Sequence, residues 1–171
     1  MKSIVSTAAL ALLLAGCTGI KSFTAFEAAT PPDYTGPTAN VADQVVAISP
    51  QQLHIFEMTQ VDDRRLASSS MASTRAGQGS GMTVAPVALT NELPLRAARV
   101  RLQATTQYAS PMLAMSNATC RTVGEVSFTP EEGKRYVVGG RIAAKVCEVW
   151  IEDPATGQAV TEKISGPGTA P

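Results

Sequence analysis

The chain has 171 residues and is poor in the side chains that carry most enzyme chemistry, with one histidine, three cysteines, one tryptophan and aromatics at only 5%. With one histidine, any Ser-His-Asp or Cys-His relay must pass through His54. That residue lies in Gln52-Leu53-His54-Ile55-Phe56-Glu57-Met58, which reads as a strand, and no Gly-x-Ser-x-Gly elbow accompanies it. Charge of one sign is also lacking: 14 basic residues balance 14 acidic ones, which excludes a strong nucleic-acid footprint. The glycine stretch Gly77-Gln78-Gly79-Ser80-Gly81 continues into Met82, with no Gly-Lys-Ser/Thr after it, so no nucleotide is expected. No Cys-x-x-Cys spacing occurs and His54 is far from the cysteines, so neither a metal nor a cofactor is expected. Few aromatics among 44% hydrophobic residues predict a thin core of Val, Leu, Ile and Met.

Long hydrophobic runs are missing too. The amino terminus places Lys2 before a run of twelve mainly apolar residues, Ile4 to Ala15, ending in small residues. That pattern is a secretory signal, too short for a mature span, which needs about 20 apolar residues. Its end, Leu14-Ala15-Gly16-Cys17, resembles the lipobox of bacterial lipoproteins. The resemblance implies cleavage before Cys17, a diacylglycerol on its sulfur and further acylation of the new amino group. Two or three chains anchor stably where one holds only marginally. Thr18 stands where Asp would resemble an inner-membrane retention signal, which favours the outer membrane, with the domain facing the periplasm or the cell surface.

With Cys17 set aside, Cys120 and Cys147 form an even pair in an exported chain, where disulfides persist, and they are expected to join. Two free buried thiols, or a metal site, are the competing readings.

Residues 18 to about 40 hold Thr30-Pro31-Pro32-Asp33 and Thr35-Gly36-Pro37-Thr38 and read as a tether. From Ala98 to Tyr108, apolar Ala98, Val100, Leu102 and Ala104 alternate with Arg99, Arg101, Gln103 and Thr105, the period of a half-buried strand. Further strands are expected at Gln44 to Ile48, Leu53 to Val61, Met82 to Leu89, Thr122 to Phe128, Arg135 to Ile142 and Val146 to Glu152. Ser68 to Arg75 and Gly77 to Gly81 read as a mobile small-residue loop. The fold expected is all-β, a single antiparallel β-sandwich of about seven strands. Its organisation would be a signal peptide (1–16), a lipidated amino terminus and tether (17–40), the sandwich (41–162) and a disordered tail (163–171).

Val126-Ser127-Phe128-Thr129-Pro130-Glu131-Glu132-Gly133-Lys134-Arg135-Tyr136-Val137-Val138 and Cys147-Glu148-Val149-Trp150-Ile151-Glu152-Asp153 together resemble small proteobacterial envelope lipoproteins. In these, a transthyretin-like sandwich ends in a Phe-x-Pro-x-x-Gly-x-x-Tyr hairpin and a last strand. The resemblance covers about a third of the chain and implies no reaction.

The carboxylate pairs Asp62-Asp63, Glu131-Glu132 and Glu152-Asp153 flank turns, where such residues serve backbone hydrogen bonding and solubility. Arg99 and Arg101 share one strand face with Arg96 just before it, a candidate contact patch for phosphate or carboxylate groups of lipopolysaccharide or an envelope protein. A solvated strand face is the plainer alternative. Trp150 joins the candidate patch if Cys147, Val149 and Ile151 point inward; in the opposite register it packs in the core. The function expected is that of a non-enzymatic, membrane-anchored structural or protein-interaction module, with a carrier or sensor of a small lipid or glycan as the alternative.

Overall fold

A computed structural model describes residues 25–169. The expected signal segment 1–16 and the expected lipid-bearing Cys17 lie outside the described residues, as do 18–24 and 170–171. The elements run β1 (Thr38–Ser49), β2 (Gln52–Val61), β3 (Arg64–Arg65), α1 (Ser69–Ala76), β4 (Thr90–Pro94), β5 (Ala98–Tyr108) and α2 (Pro111–Ser116). They continue with β6 (Thr119–Phe128), β7 (Arg135–Ala143), β8 (Val146–Asp153), β9 (Gln158–Ala159), β10 (Ile164–Gly166) and β11 (Gly168–Thr169).

The all-β class stands, but the architecture is a curled mixed sheet, a half-barrel, rather than a clear seven-stranded antiparallel sandwich. Its order is β10-β8-β7-β1-β2-β5-β6-β11, with β3 beside β2, β4 beside β1 and β9 beside β8. The parallel pair is β1 with β7, from Asn40 opposite Arg135 to Asp43 opposite Val138. The cause of the curl is a change of partner along β1. Its first half, Thr38 to Ala42, pairs with β4, and its second half, Gln44 to Ser49, pairs with β2. One strand therefore belongs to two walls.

Alternation fills the space between those walls. Val41, Met58, Val100, Leu102, Val138, Val149 and Ile151 are fully buried in one cluster with Phe56, Phe128 and Tyr136. The last two rings meet edge to face with centroids 4.9 Å apart, which supplies aromatic packing where aromatics are few. Phe56 seats against Gly140 of β7, where a Cβ would collide with the phenyl ring and with the Glu148 carbonyl. On the other face of β2, Leu53, Ile55 and Glu57 are also fully buried. Glu57 is bound there by α1, which sits where the sequence predicts a mobile loop.

Closure comes from the carboxy terminus. Cys120 of β6 and Cys147 of β8 form a disulfide with Cα atoms 5.7 Å apart. The same two residues flank the last described segment: Gly166 pairs with Cys147 and Gly168 with Cys120. Gly124 and Gly166 make room for this approach, because a Cβ on either would overlap Ile164 or Thr122 respectively. The residues expected as a tail thus include β10 and β11, which lie along the seam between β8 and β6. Replacing Cys120 and Cys147 by Ser is expected to destabilise the domain by roughly 3.5 kcal/mol on the chain-entropy account, read as a lower denaturant midpoint. Gly140→Ala is expected to lower stability by about 1–3 kcal/mol through overpacking against Phe56, and an unchanged midpoint would refute that contact.

Candidate functional site

β5 places Arg99 and Arg101 outward because Ala98, Val100, Leu102 and Ala104 are drawn into the core. Arg101 lies between Gln60 of β2 and Glu125 of β6 in the ladder. Gln60, Asp62, Asp63, Arg99, Arg101 and Glu125 line an open depression of about 250 Å³. Its rim is the β2–β3 turn, which Asp62 holds in a left-handed conformation with φ of 50°. Asp tolerates that region better than most residues. The turn is clamped to β5 from both sides: the Asp62 N–H donates to the Arg99 carbonyl at 2.7 Å, and Asp62 Oδ1 accepts from the Arg99 N–H at 3.0 Å. The Gln60 amide donates to the Asp62 carbonyl at 2.6 Å. Arg96 reaches the second oxygen of Asp62 at 3.8 Å, an exposed pair of small energetic weight.

Arg96, Arg99 and Arg101 are therefore brought together, and acidic side chains are interleaved with them. The surface is a mixed polar face, with carboxylates among the guanidinium groups, and not a plain anion cradle. Glu125 was not foreseeable, because its place beside Arg101 depends on the β5–β6 register.

Trp150 does not join this patch. Its register follows from the burial of Cys147, Val149 and Ile151, which turns the indole outward on β8, a strand separated from β5 by β7, β1 and β2. There its Nε1–H donates to Glu152 at 2.7 Å and Lys163 lies over the ring at 4.4 Å, so the indole is half-covered by its own neighbours.

The remaining titratable groups fall into three settings. His54 is half-buried on β2 with Gln52 Nε2 at 3.2 Å from its Nε2, and burial lowers its pKa. Lys134 joins Glu131 at 3.5 Å and Asp153 at 3.7 Å across two turns, and these carboxylates raise its pKa. The third is internal. Asp43 stands where β1 changes partner, and its Oδ1 accepts the Met58 N–H at 2.9 Å, a donor that the departing ladder leaves without a strand carbonyl. Its Oδ2 accepts from the Ser69 hydroxyl at 2.6 Å, and Ser69 Oγ in turn accepts from the Leu89 N–H at 2.9 Å. Beside it, Glu57 accepts from the Ser70 N–H and hydroxyl and from Gln103. Two strand carboxyls thus hold the first turn of α1, where the helix dipole favours negative charge. Among the described residues no group of three or more His, Cys, Asp or Glu could hold a metal ion, and no helix is long and apolar enough to cross a membrane.

Burial pushes the Asp43 carboxyl up from 3.8 to about 7; the bonds from Ser69 and Met58 oppose the rise and the nearby Glu57 adds to it. The folded protein then holds a proton that the unfolded chain releases. The associated stabilisation is complete below 3.8 and is lost as pH rises through about 7. Asp43→Asn keeps an acceptor for Met58 and offers a donor to Ser69. It should remove a decline of up to about 1.4 kcal/mol per pH unit, seen by comparing denaturant unfolding of both proteins across that range. Equal slopes would exclude Asp43 as the source. No protein-family model, curated protein or solved structure matches this chain, so a functional reading rests on its residues and their geometry.

Proposed function

We propose that this chain is an outer-membrane-anchored envelope lipoprotein whose β domain is a non-enzymatic protein-interaction module. The observation that carries the reading is the placement of the polar face: Arg99, Arg101, Gln60 and Glu125 stand on rigid paired strands over a filled core. Chemistry fixed on an outer sheet face suits recognition of a macromolecular surface. A small lipid or glycan would have to share that surface, since the interior holds Phe56, Met58, Leu102, Val138 and Ile151.

The anchor follows from Leu14-Ala15-Gly16-Cys17 and agrees with the route of the chain into the domain. The Glu27 N–H donates to the Arg65 carbonyl at 2.8 Å and Arg64 donates to the Ala29 carbonyl. The chain is thereby fixed next to the Asp62-Asp63 turn, at the end of the sheet that carries the charged depression. Residues 18–24 separate Cys17 from Ala25, a stretch that spans at most about 28 Å when extended. The polar face would then look toward whatever lies close to the anchoring leaflet, a membrane-proximal protein in preference to a distant one.

Two substitutions test the two halves of the reading. Cys17→Ser should abolish acyl mass and move the protein out of the membrane fraction. Arg99→Glu with Arg101→Glu should leave fractionation intact and reduce cross-linking to the envelope partner at least about tenfold, with strong salt dependence in the unchanged protein. An unlipidated natural chain would defeat the anchor. Partner yields indifferent to charge reversal would defeat the polar face, and transfer of the cross-link to lipopolysaccharide would replace the protein partner.

A further inference from the structure

The methionines of the domain divide by exposure. Met58 is fully buried in the core cluster, Met71 and Met82 are 45% and 51% exposed, and Met112 and Met115 reach 77% and 87%. The two most exposed thioethers lie three residues apart on α2, a spacing that makes them neighbours on one side of the helix. Met71, by contrast, lines a hollow on α1 with Ser70, Thr74, Arg75 and Gln78.

α2 stands clear of the core. None of its residues is buried, and its backbone is satisfied within its own loop. The Leu113 N–H donates to Ser110 Oγ at 3.4 Å, the Ser116 hydroxyl to the Met112 carbonyl at 3.1 Å and the Asn117 amide to the Leu113 carbonyl at 2.8 Å. At the base of the loop, the Tyr108 hydroxyl donates to the Ala118 carbonyl at 2.6 Å. A change of chemistry at the tips of Met112 and Met115 therefore takes no contact from the sheet. Met58 is placed in the opposite way, with its side chain among Phe56, Val100 and Leu102 in the core cluster. A thioether carries no proton to titrate, so access to the sulfur is what separates these methionines as nucleophiles.

We propose that Met112 and Met115 form an oxidant-accepting site, converted to methionine sulfoxide by hydrogen peroxide ahead of the other methionines of the domain and with the fold left intact. In each event a sulfur lone pair attacks one peroxide oxygen, the S–O bond forms and the O–O bond breaks. The departing hydroxide takes the proton left on the transferred oxygen, so sulfur is oxidised by two electrons and the peroxide is reduced to water. Segment 102–120 has no Asp, Glu, Lys or Arg, and the two thioethers are its most exposed apolar groups. Sulfoxides are polar, so oxidation turns an adaptable apolar surface into a polar one and weakens any contact made through it. The charged end of the sheet is untouched by that change. This site does not rest on the anchor or on the arginine face.

The test is a time course of hydrogen peroxide treatment of the full chain in a non-denaturing detergent, read by peptide mapping with fragment-ion assignment of each added oxygen. Met112 and Met115 should each gain one oxygen at least about twofold faster than Met71 or Met82, and roughly a hundredfold faster than Met58, which waits for the core to open. The unfolding midpoint should stay in place once both are oxidised. Met112→Leu with Met115→Leu, swaps that nearly conserve volume, should remove two oxygens per chain from the fast phase. Earlier oxidation of Met71 or Met82, oxidation of Met58 at the rate of the α2 pair, a midpoint that falls as the pair is oxidised, or a fast phase that survives both leucines would each overturn the proposal.

Discussion

A carboxyl group at a fork in the sheet sets the shape of this domain. Pairing of β1 with β4 ends at Ala42 and pairing with β2 begins at Gln44, and Asp43 occupies the step between them. A strand that changes partners leaves backbone groups unpaired, and buried donors without acceptors cost about 1–3 kcal/mol each. Asp43 answers the Met58 N–H with one oxygen and draws in Ser69, and through it Leu89, with the other. Its own N–H donates to the Leu89 carbonyl at 2.8 Å. One side chain thereby fixes the turn of β1 from one wall to the other, seats α1 and aligns the segment leading into β4. The raised pKa is the electrostatic cost of putting that job in the interior.

The opposite seam has a different solution. Where β8 and β6 approach at the far side of the curl, backbone pairing with β10 and β11 is short, and a covalent bond supplements it. A domain of this size, with few aromatics, buries too little surface to leave both seams to side-chain packing alone. The fork therefore relies on hydrogen bonds and the closure on sulfur. This division matches the residues available, since the fork lies among short polar side chains and the closure among glycines that let backbones come close.

Much of the sheet was legible because alternation is a local property. Ala98–Tyr108 begins and ends where its pattern says, and Cys120 and Cys147, the even pair left when Cys17 is set aside, are joined. What was hidden depends on distant partners. α1 has a serine-rich sequence with little apolar face, and it is helical because Ser68 caps it and Glu57, from β2, accepts the Ser70 N–H and hydroxyl. Met82 to Leu89 looks like a strand by composition, yet Val87 and Leu89 are taken by Ser73 and Ser69, and regular pairing begins only at Thr90. The last residues are too polar and glycine-rich to announce strands, and they pair only because the disulfide-linked edges flank them. For the arginine face, alternation foretold Arg99 and Arg101, whereas Glu125 and the separation of Trp150 required the register and the strand order.

Charge is divided along the length of the sheet. The end where the chain enters carries Asp62, Asp63, Arg64, Arg65, Arg96 and Arg99, whereas the segments meeting at the β1–β2 turn have no Asp, Glu, Lys or Arg. At that second end Met82, Met112 and Met115 stand 51%, 77% and 87% exposed, flexible apolar side chains that fit a surface by adapting to it. The two ends would recognise by different physics. Contacts at the charged end are steered over a Debye length of about 8 Å at physiological salt and weaken as salt rises. Contacts at the uncharged end would depend on apolar burial, which salt does not screen. Because the curl set at Asp43 carries β1 from the charged end to the β1–β2 turn, the separation of these surfaces is a consequence of the fold, and one can be altered by substitution while the other is left in place.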